Sequence, residues 1–339
     1  SETFPIVVNV QNENVPSSTK TVTIKPNTGV TATIAGAAAS SRIFTILNNY
    51  VTIDGSNATS GTTRDLTIQN TSTTTPQVIV VGSIGTTPRT NVTVKNCNII
   101  NGVNSSSAMI ISDGNTPATA GWFNNITVQN NSFQLAYIAL YSIATISTGN
   151  GSGLNIIGND FNTSGTNAVR LVGVYVQGVD GATVSGNNIG NFSILDASNV
   201  TGVWFATGTV NSSITGNTIT NLNATTAPPR GLAISSAYPN ANINIEGNTI
   251  SNISTTYSSP PYGIYVFSTT SGVSIKKNKI SNMLNTNTGG YGCRGINIAT
   301  STSPANIDII NNFVWNIVAT ADASVTYWGI GIALDATIS

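Results

Sequence analysis

The stretch SITGNTITNL, Ser213 to Leu222, recurs with variations at NIEGNTISNI from Asn244, SIKKNKISNM from Ser274 and DIINNFVWNI from Asp308. Towards the N-terminus it recurs as TVSGNNIGNF from Thr183, NIIGNDFNTS from Asn155, TVQNNSFQLA from Thr127 and TVKNCNIING from Thr93. A spacing of about 28 to 34 residues marks a repeat architecture by its period alone. Within each copy apolar and polar residues alternate, as at Ile243 and Ile245 and again from Ile250 towards Ile253, so two short strands each turn one face inward. Between them lies a two-residue corner of the form [Gly/Asn/Lys]-Asn. Its second position is Asn131, Asn159, Asn187, Asn217, Asn248, Asn278 and Asn312, and Cys97 breaks the series. Asn and Gly tolerate a left-handed backbone, so a sharp bend is expected on every turn. Stacked at the strand spacing of roughly 4.8 Å, those amides fall into one column and hydrogen-bond from coil to coil, each rung worth about 0.5 to 1.5 kcal/mol net.

A second phrase lies upstream of each Asn corner: GVYVQ at Gly173, GVWFA at Gly202, GLAIS at Gly231, GIYVF at Gly263, GINIA at Gly295 and GIGIA at Gly329, with looser versions at VIVVG, AMIIS and YIALY. Each coil is then three strands, with like strands stacked in parallel. The expected fold is all-β, a three-faced parallel β-helix with an asparagine ladder. Residues 1–63 are expected to form an N-terminal cap and irregular first coils, and 64–339 the regular coils. The 15 residues between the starts of VTIDG at Val51 and LTIQN at Leu66 do not fit the period, and the register there stays open. Loops such as 223–230, 254–262 and 284–294 carry Pro, Gly and Thr and are exposed turns. Glu246 and Lys276 fall on equivalent outward positions one coil apart and form an expected cross-strand pair.

Composition bounds the function. Charged residues make up 7% of the chain, the formal net charge is zero and histidine is absent. No basic stripe exists to neutralise phosphates, so nucleic acid is an unsuitable partner. The commonest general base and metal ligand is missing, and neither a metal nor a cofactor is expected. No membrane-length apolar run is present, so membrane insertion is not expected. Cys97 and Cys293 lie about seven repeats apart, roughly 34 Å along the stack, too far for a disulfide. The start at SETFPIVVNV looks processed or trimmed, and the end at Ser339 follows a strand with no closing element, so further domains of the same chain are expected.

The G-I-x-I phrase together with I-x-[GN]-N-x-I-x-N resembles the right-handed parallel β-helix repeats of the pectin-lyase-like superfamily, over nearly the whole chain. TVTIKPNTGVTATIAG, YVTIDGSN and RDLTIQN resemble secreted surface proteins of Bacteroidetes-type bacteria, often exported by a type IX system. That resemblance implies right-handed coils, a secreted or bacterial cell-surface location, and a ligand groove over the outer face of the G-I-x-I strands. It also implies how enzymes of the superfamily cut sugars: hydrolases with several Asp residues on that face, lyases with acidic calcium ligands and an Arg or Lys base. Here the outward positions are Tyr175, Trp204, Ala233, Tyr265, Asn297 and Gly331, none of them a carboxylate.

Asp180 and Asp196 are the nearest acids, but they fall on different corners, and isolated turn aspartates are the commoner arrangement. Asp160, beside the corner at Asn159, suits a turn role. The residues before the G-I-x-I glycine are Arg230, Tyr262, Arg294 and Trp328 on successive coils. With Tyr175, Trp204 and Tyr265 they form an expected strip of aromatic faces and guanidinium forks, suited to an extended polysaccharide or cell-surface glycan. Mutual packing through cation–π contacts accounts for the same residues without a ligand. An outward column of Thr67, Thr93, Thr127, Asn155, Thr183, Ser213, Asn244, Ser274 and Asp308 resembles an ice-binding array only at its start, and a solvated β-face accounts for it. The expected function is a non-enzymatic stalk or adhesin that binds extended glycans, the alternative a polysaccharide lyase or glycoside hydrolase with loop-borne acids.

Overall fold

The structure, a computed structural model, describes residues 3–10, 15–194, 199–320 and 328–335. Among these residues the strands form three parallel sheets of 11, 10 and 10 strands, and each strand pairs with the strand three places on in the chain. The chain therefore winds through sheet 1, sheet 2 and sheet 3 in turn. Its first coil is Ile6–Val8, Val22–Ile24 and Ala32–Gly36. The coil centred on Ser213 is Thr201–Phe205, Ser213–Thr215 and Thr218–Ala224. Sheet 1 holds the G-I-x-I strands, and sheets 2 and 3 flank the Asn corner.

Inward columns of β-branched side chains fill the interior. Val184, Ile214, Ile245 and Ile275 stack on sheet 2, while Ile189, Ile219, Ile250 and Ile280 stack on sheet 3, all fully buried. Each such side chain contributes roughly 1.5 to 3 kcal/mol by leaving water. The glycine that opens each G-I-x-I strand is required by close approach. A Cβ on Gly231 would lie 2.5 Å from the Gly263 carbonyl oxygen and 2.6 Å from Ile250 Cγ2, and Gly173, Gly202, Gly263 and Gly295 meet the same obstruction.

The asparagine ladder is present and continuous. Asn217 donates its backbone N–H and one Nδ2 proton to Asn248 Oδ1 on the next coil, both at 3.0 Å, and Nδ2 donates again to the Val184 carbonyl on the previous coil at 2.9 Å. The same three bonds recur at Asn131, Asn159, Asn187, Asn248 and Asn278, and Asn312 closes the series with a bond to the Ile275 carbonyl. The left-handed bend belongs to the residue before each ladder Asn: Asn130, then Gly158, Gly186, Gly216 and Gly247, then Lys277 and Asn311. Cys97 keeps the pattern through its backbone, donating N–H to Asn131 Oδ1 at 3.0 Å. Both cysteines are buried and free.

Two more left-handed columns shape the later coils. One precedes sheet 2 at Asn211, Asn242 and Asn306, the other bends sheet 3 at Asn191, Asn221, Asn252, Asn282 and Asn316. The bend in sheet 3 explains how Ile250 and Ile253 both point inward although strict alternation would put them on opposite faces.

The register of the first coils is also resolved. Val51–Asp54 lies in sheet 2 beside Val92–Lys95, and Leu66–Asn70 in sheet 3 beside Cys97–Ile100. The gap is an insertion, residues 55–65, at the corner that later coils turn with two residues. Residues 25–31 occupy the same corner in the first coil. Thr67 consequently belongs to sheet 3, paired with Thr33 and Asn98, and the sheet 2 column begins Thr23, Thr52, Thr93, Thr127. Glu246 and Lys276 are register partners, but the ion pair forms with Lys277, whose left-handed backbone brings Nζ to 2.8 Å from Glu246 Oε1. That hydrogen bond holds the Glu246 carboxyl below its ordinary pKa.

Candidate functional site

On the outer face of sheet 1 the pairing places Tyr141, Tyr175, Trp204, Ala233, Tyr265, Asn297 and Ala333 in one column. Beside it runs a second column, Thr201, Arg230, Tyr262, Arg294 and Ile330. Neighbouring rings touch, between coils at Tyr141, Tyr175 and Trp204 and within one strand at Tyr262, Tyr265 and Phe267. Tyr141 and Tyr175 have centroids 5.0 Å apart, Tyr175 meets Trp204 edge-on at 5.3 Å, and Tyr265 is stacked at 4.2 Å on Tyr262 and at 4.5 Å on Phe267. The first column has no ring at Ala233, and Arg230 fills that space. Its guanidinium lies 6.0 Å from the Trp204 centroid, 5.3 Å from Tyr265 and 5.1 Å from Phe267.

The two arginines are in different electrostatic states. Arg294 Nη1 donates to both oxygens of Asp335 at 3.0 Å and to Asn297 Oδ1 at 2.8 Å, and Asn297 Nδ2 donates to the same carboxylate at 3.2 Å. Arg230 makes no ion pair among the described residues, and its Nε is buried without an acceptor. Burial lowers the Arg230 pKa, yet a guanidinium stays protonated in any accessible range. Burial pushes the phenols of Tyr175 and Tyr262 up to about 12, so both remain neutral donors at ordinary pH. Tyr175 uses its hydroxyl to donate to Gln177 Oε1 at 2.7 Å, and Trp204 Nε1 donates to Ser235 Oγ at 2.9 Å.

Of the residues expected in the strip, Tyr175, Trp204, Arg230, Tyr262, Tyr265 and Arg294 come together, Tyr262 as the most buried of the tyrosines among them. Trp328 does not join them. The last strand, Gly329–Leu334, is shifted by two residues from the expected phrase alignment, so that Gly331 faces no ligand groove and Ile330 is the register partner of Arg294. Trp328 stands outside both columns and is 67% exposed. The same shift brings Asp335, which alignment on Gly329 leaves beyond the motif, against Arg294, so one carboxylate does stand at the end of this face. Tyr141 and Phe267 belong to the strip without having been expected there. Their signal is the two-residue alternation itself, which places Phe267 outward after Tyr265 and aligns YIALY with GVYVQ at Tyr141.

Two of the other acids are used locally. Asp180 accepts from the Gly149 N–H and from Asn211 Nδ2, both at 2.7 Å, and Asp160 caps Asn162 N–H at 3.0 Å and faces Arg64 at 3.8 Å. Asp196 lies outside the described residues. Among the described residues there is no group of three or more His, Cys, Asp or Glu able to hold a metal, and no helix is long and apolar enough to cross a membrane.

The molecule is thus a parallel β-helix with an aromatic and arginine strip along one outer face. No family model matches the chain, and no curated protein matches it in sequence. In fold it is similar to the crystal structure of PfbA, a surface adhesin of Streptococcus pneumoniae, with a TM-score of 0.50 and 16% identity over 88% of this chain and 81% of that one. At that identity the likeness is one of fold.

Proposed function

We propose that this protein is the β-helical body of a secreted or bacterial cell-surface adhesin whose sheet 1 strip binds an extended glycan. The observation that carries the proposal is the run of half-buried rings at Tyr141, Tyr175 and Trp204 and again at Tyr265 and Phe267, with Arg230 filling the interruption at Ala233. The rings span four strand spacings, roughly 19 Å, and the strip as far as Asn297 five, roughly 24 Å, long enough for several saccharide rings. Flat apolar faces edged by N–H and O–H donors suit a sugar, whose own faces are apolar and whose rim is polar. That PfbA, with a similar fold, is a surface adhesin supports the same role here. Kinship with the pectin-lyase-like superfamily and export by a type IX system are part of this proposal, on the repeat phrases quoted above.

An enzymatic role as a polysaccharide lyase or glycoside hydrolase is the competing reading. Glycoside hydrolysis needs two carboxylates across the scissile bond, and the one acid on the strip among the described residues, Asp335, is held by Arg294 and Asn297. The test is retention of acidic and neutral polysaccharides in affinity gels, with and without calcium, alongside an assay for reducing or unsaturated ends. Retention without product is expected, and product release would overturn the non-enzymatic reading. Trp204→Ala combined with Tyr265→Ala should abolish retention while the far-ultraviolet β-signal persists. Trp328→Ala should leave retention unchanged.

A further inference from the structure

The strip is asymmetric in charge, and the asymmetry bears on which glycan it accepts. From Tyr141 to Asn297 its cations are Arg230 and Arg294. Arg294 is neutralised by both oxygens of Asp335. Arg230 lies among three rings, Trp204 on the preceding coil and Tyr265 and Phe267 on the following one, and its charge is unmatched among the described residues. Its Nη groups, unlike the buried Nε, have no partner among the described residues and are not enclosed, so they reach solvent at the middle of the strip. Arg170, the next arginine on this side, stands over the Tyr137 ring at 5.7 Å and is otherwise engaged. A guanidinium packed among rings, with Nη groups that no other described side chain occupies, can receive a carboxylate or sulfate by paired charge-assisted hydrogen bonds.

We infer that the strip selects a sparsely charged glycan, an otherwise neutral saccharide bearing one carboxylate or sulfate group, whose anion seats on Arg230. The inference rests on the strip being a glycan site. One unmatched cation along roughly 24 Å cannot compensate a chain that carries a charge on every ring, because each further anion would lie against aromatic faces and lose its water without a partner. A polyuronate should therefore bind no better than a neutral chain bearing one acidic sugar. The neutral parent should bind through the rings alone, more weakly.

The experiment is competition on the intact protein among four oligosaccharides of equal length: a neutral parent, the same chain with one terminal carboxylate, the same with one sulfate, and a polyuronate. The singly charged chains should bind about tenfold or more tighter than the parent at low salt, with the advantage shrinking as salt rises. The carboxylate and sulfate arms identify which anion is preferred. Arg230→Gln should bring singly charged and neutral chains to equal affinity, with Arg230→Lys intermediate. Because the competition among ligands needs no variant, it decides the matter even if Arg230→Gln fails to fold. Equal binding of neutral and singly charged chains, or tighter binding of the polyuronate, overturns the inference. If the neutral parent is still retained, and lost in Trp204→Ala, the strip itself survives that outcome. If the wild type retains none of the four, both ideas fall together.

Discussion

At the scale of single residues, each ladder asparagine does a task no other side chain can do. Asn217 uses its backbone N–H, both Nδ2 protons and Oδ1, and it is buried between two coils. Asn217→Ala would take the acceptor from the Asn187 backbone N–H and one Asn187 Nδ2 proton and the side-chain donor from the Val184 carbonyl, while Asn248 Oδ1 keeps the backbone N–H of residue 217; each buried group left unpaired costs about 1 to 3 kcal/mol before relaxation. A loss of about 3 kcal/mol in denaturant unfolding is expected. By contrast, Asn221→Gly at the bend of sheet 3, where φ is 56°, should stay within about 1 kcal/mol, since Gly keeps the left-handed backbone and forfeits a half-exposed bond to Asn191. The ladder was legible because an amide recurring at the repeat period meets its own copy on the next coil and can satisfy both its donor and its acceptor there. The ion pair of Glu246 was not, because the left-handed turn at Lys277 redirects that side chain and period-two counting selects Lys276 instead.

At the scale of elements, strand against strand leaves no slack on sheet 1. Gly231→Ala should cost about 1 to 3 kcal/mol by overpacking, measurable as a lowered unfolding midpoint, since the added carbon meets backbone and a core isoleucine. Inserted corners behave differently. The insertion 55–65 is tied down by Asp54, which accepts from Asn96 Nδ2 at 2.7 Å and Ser56 N–H at 3.0 Å and faces Lys95 at 3.2 Å. Burial alone would raise the Asp54 pKa, but those hydrogen bonds and the Lys95 charge hold it below its ordinary value. A depressed folded-state pKa contributes stability above the unfolded value, near 3.9, and loses it as pH falls through the folded one. The unfolding midpoint should therefore drop on acidification below about pH 4, and Asp54→Asn should flatten that part of the profile. The insertion was illegible in register because the repeat phrase is interrupted at its corner. The shift of the last strand was illegible for the opposite reason: GIGIAL offers two glycines two residues apart, and alternation fits both.

At the scale of the whole molecule, the parallel stack was readable because every level of the sequence agrees: alternation, corner, glycine and period. The strip was readable in outline, since outward aromatics at one register position must stack. Its electrostatics were not, because the pairing of Arg294 with Asp335 spans 41 residues and depends on where the last strand sits. Every rung from Asn131 to Asn278 donates its backbone N–H towards the C-terminal coil, so the column of amides points one way. A vectorial chain of this kind can be cut and rejoined only at matching rungs, which makes the protein a ruler graduated in whole turns. Excising residues 217–247, the 31-residue interval between two rungs, should give a folded rod one graduation shorter, about 4.8 Å, whereas removing one residue more or fewer should melt the junction. The shortened rod would also lack Arg230, and so would grip charged and neutral sugars alike.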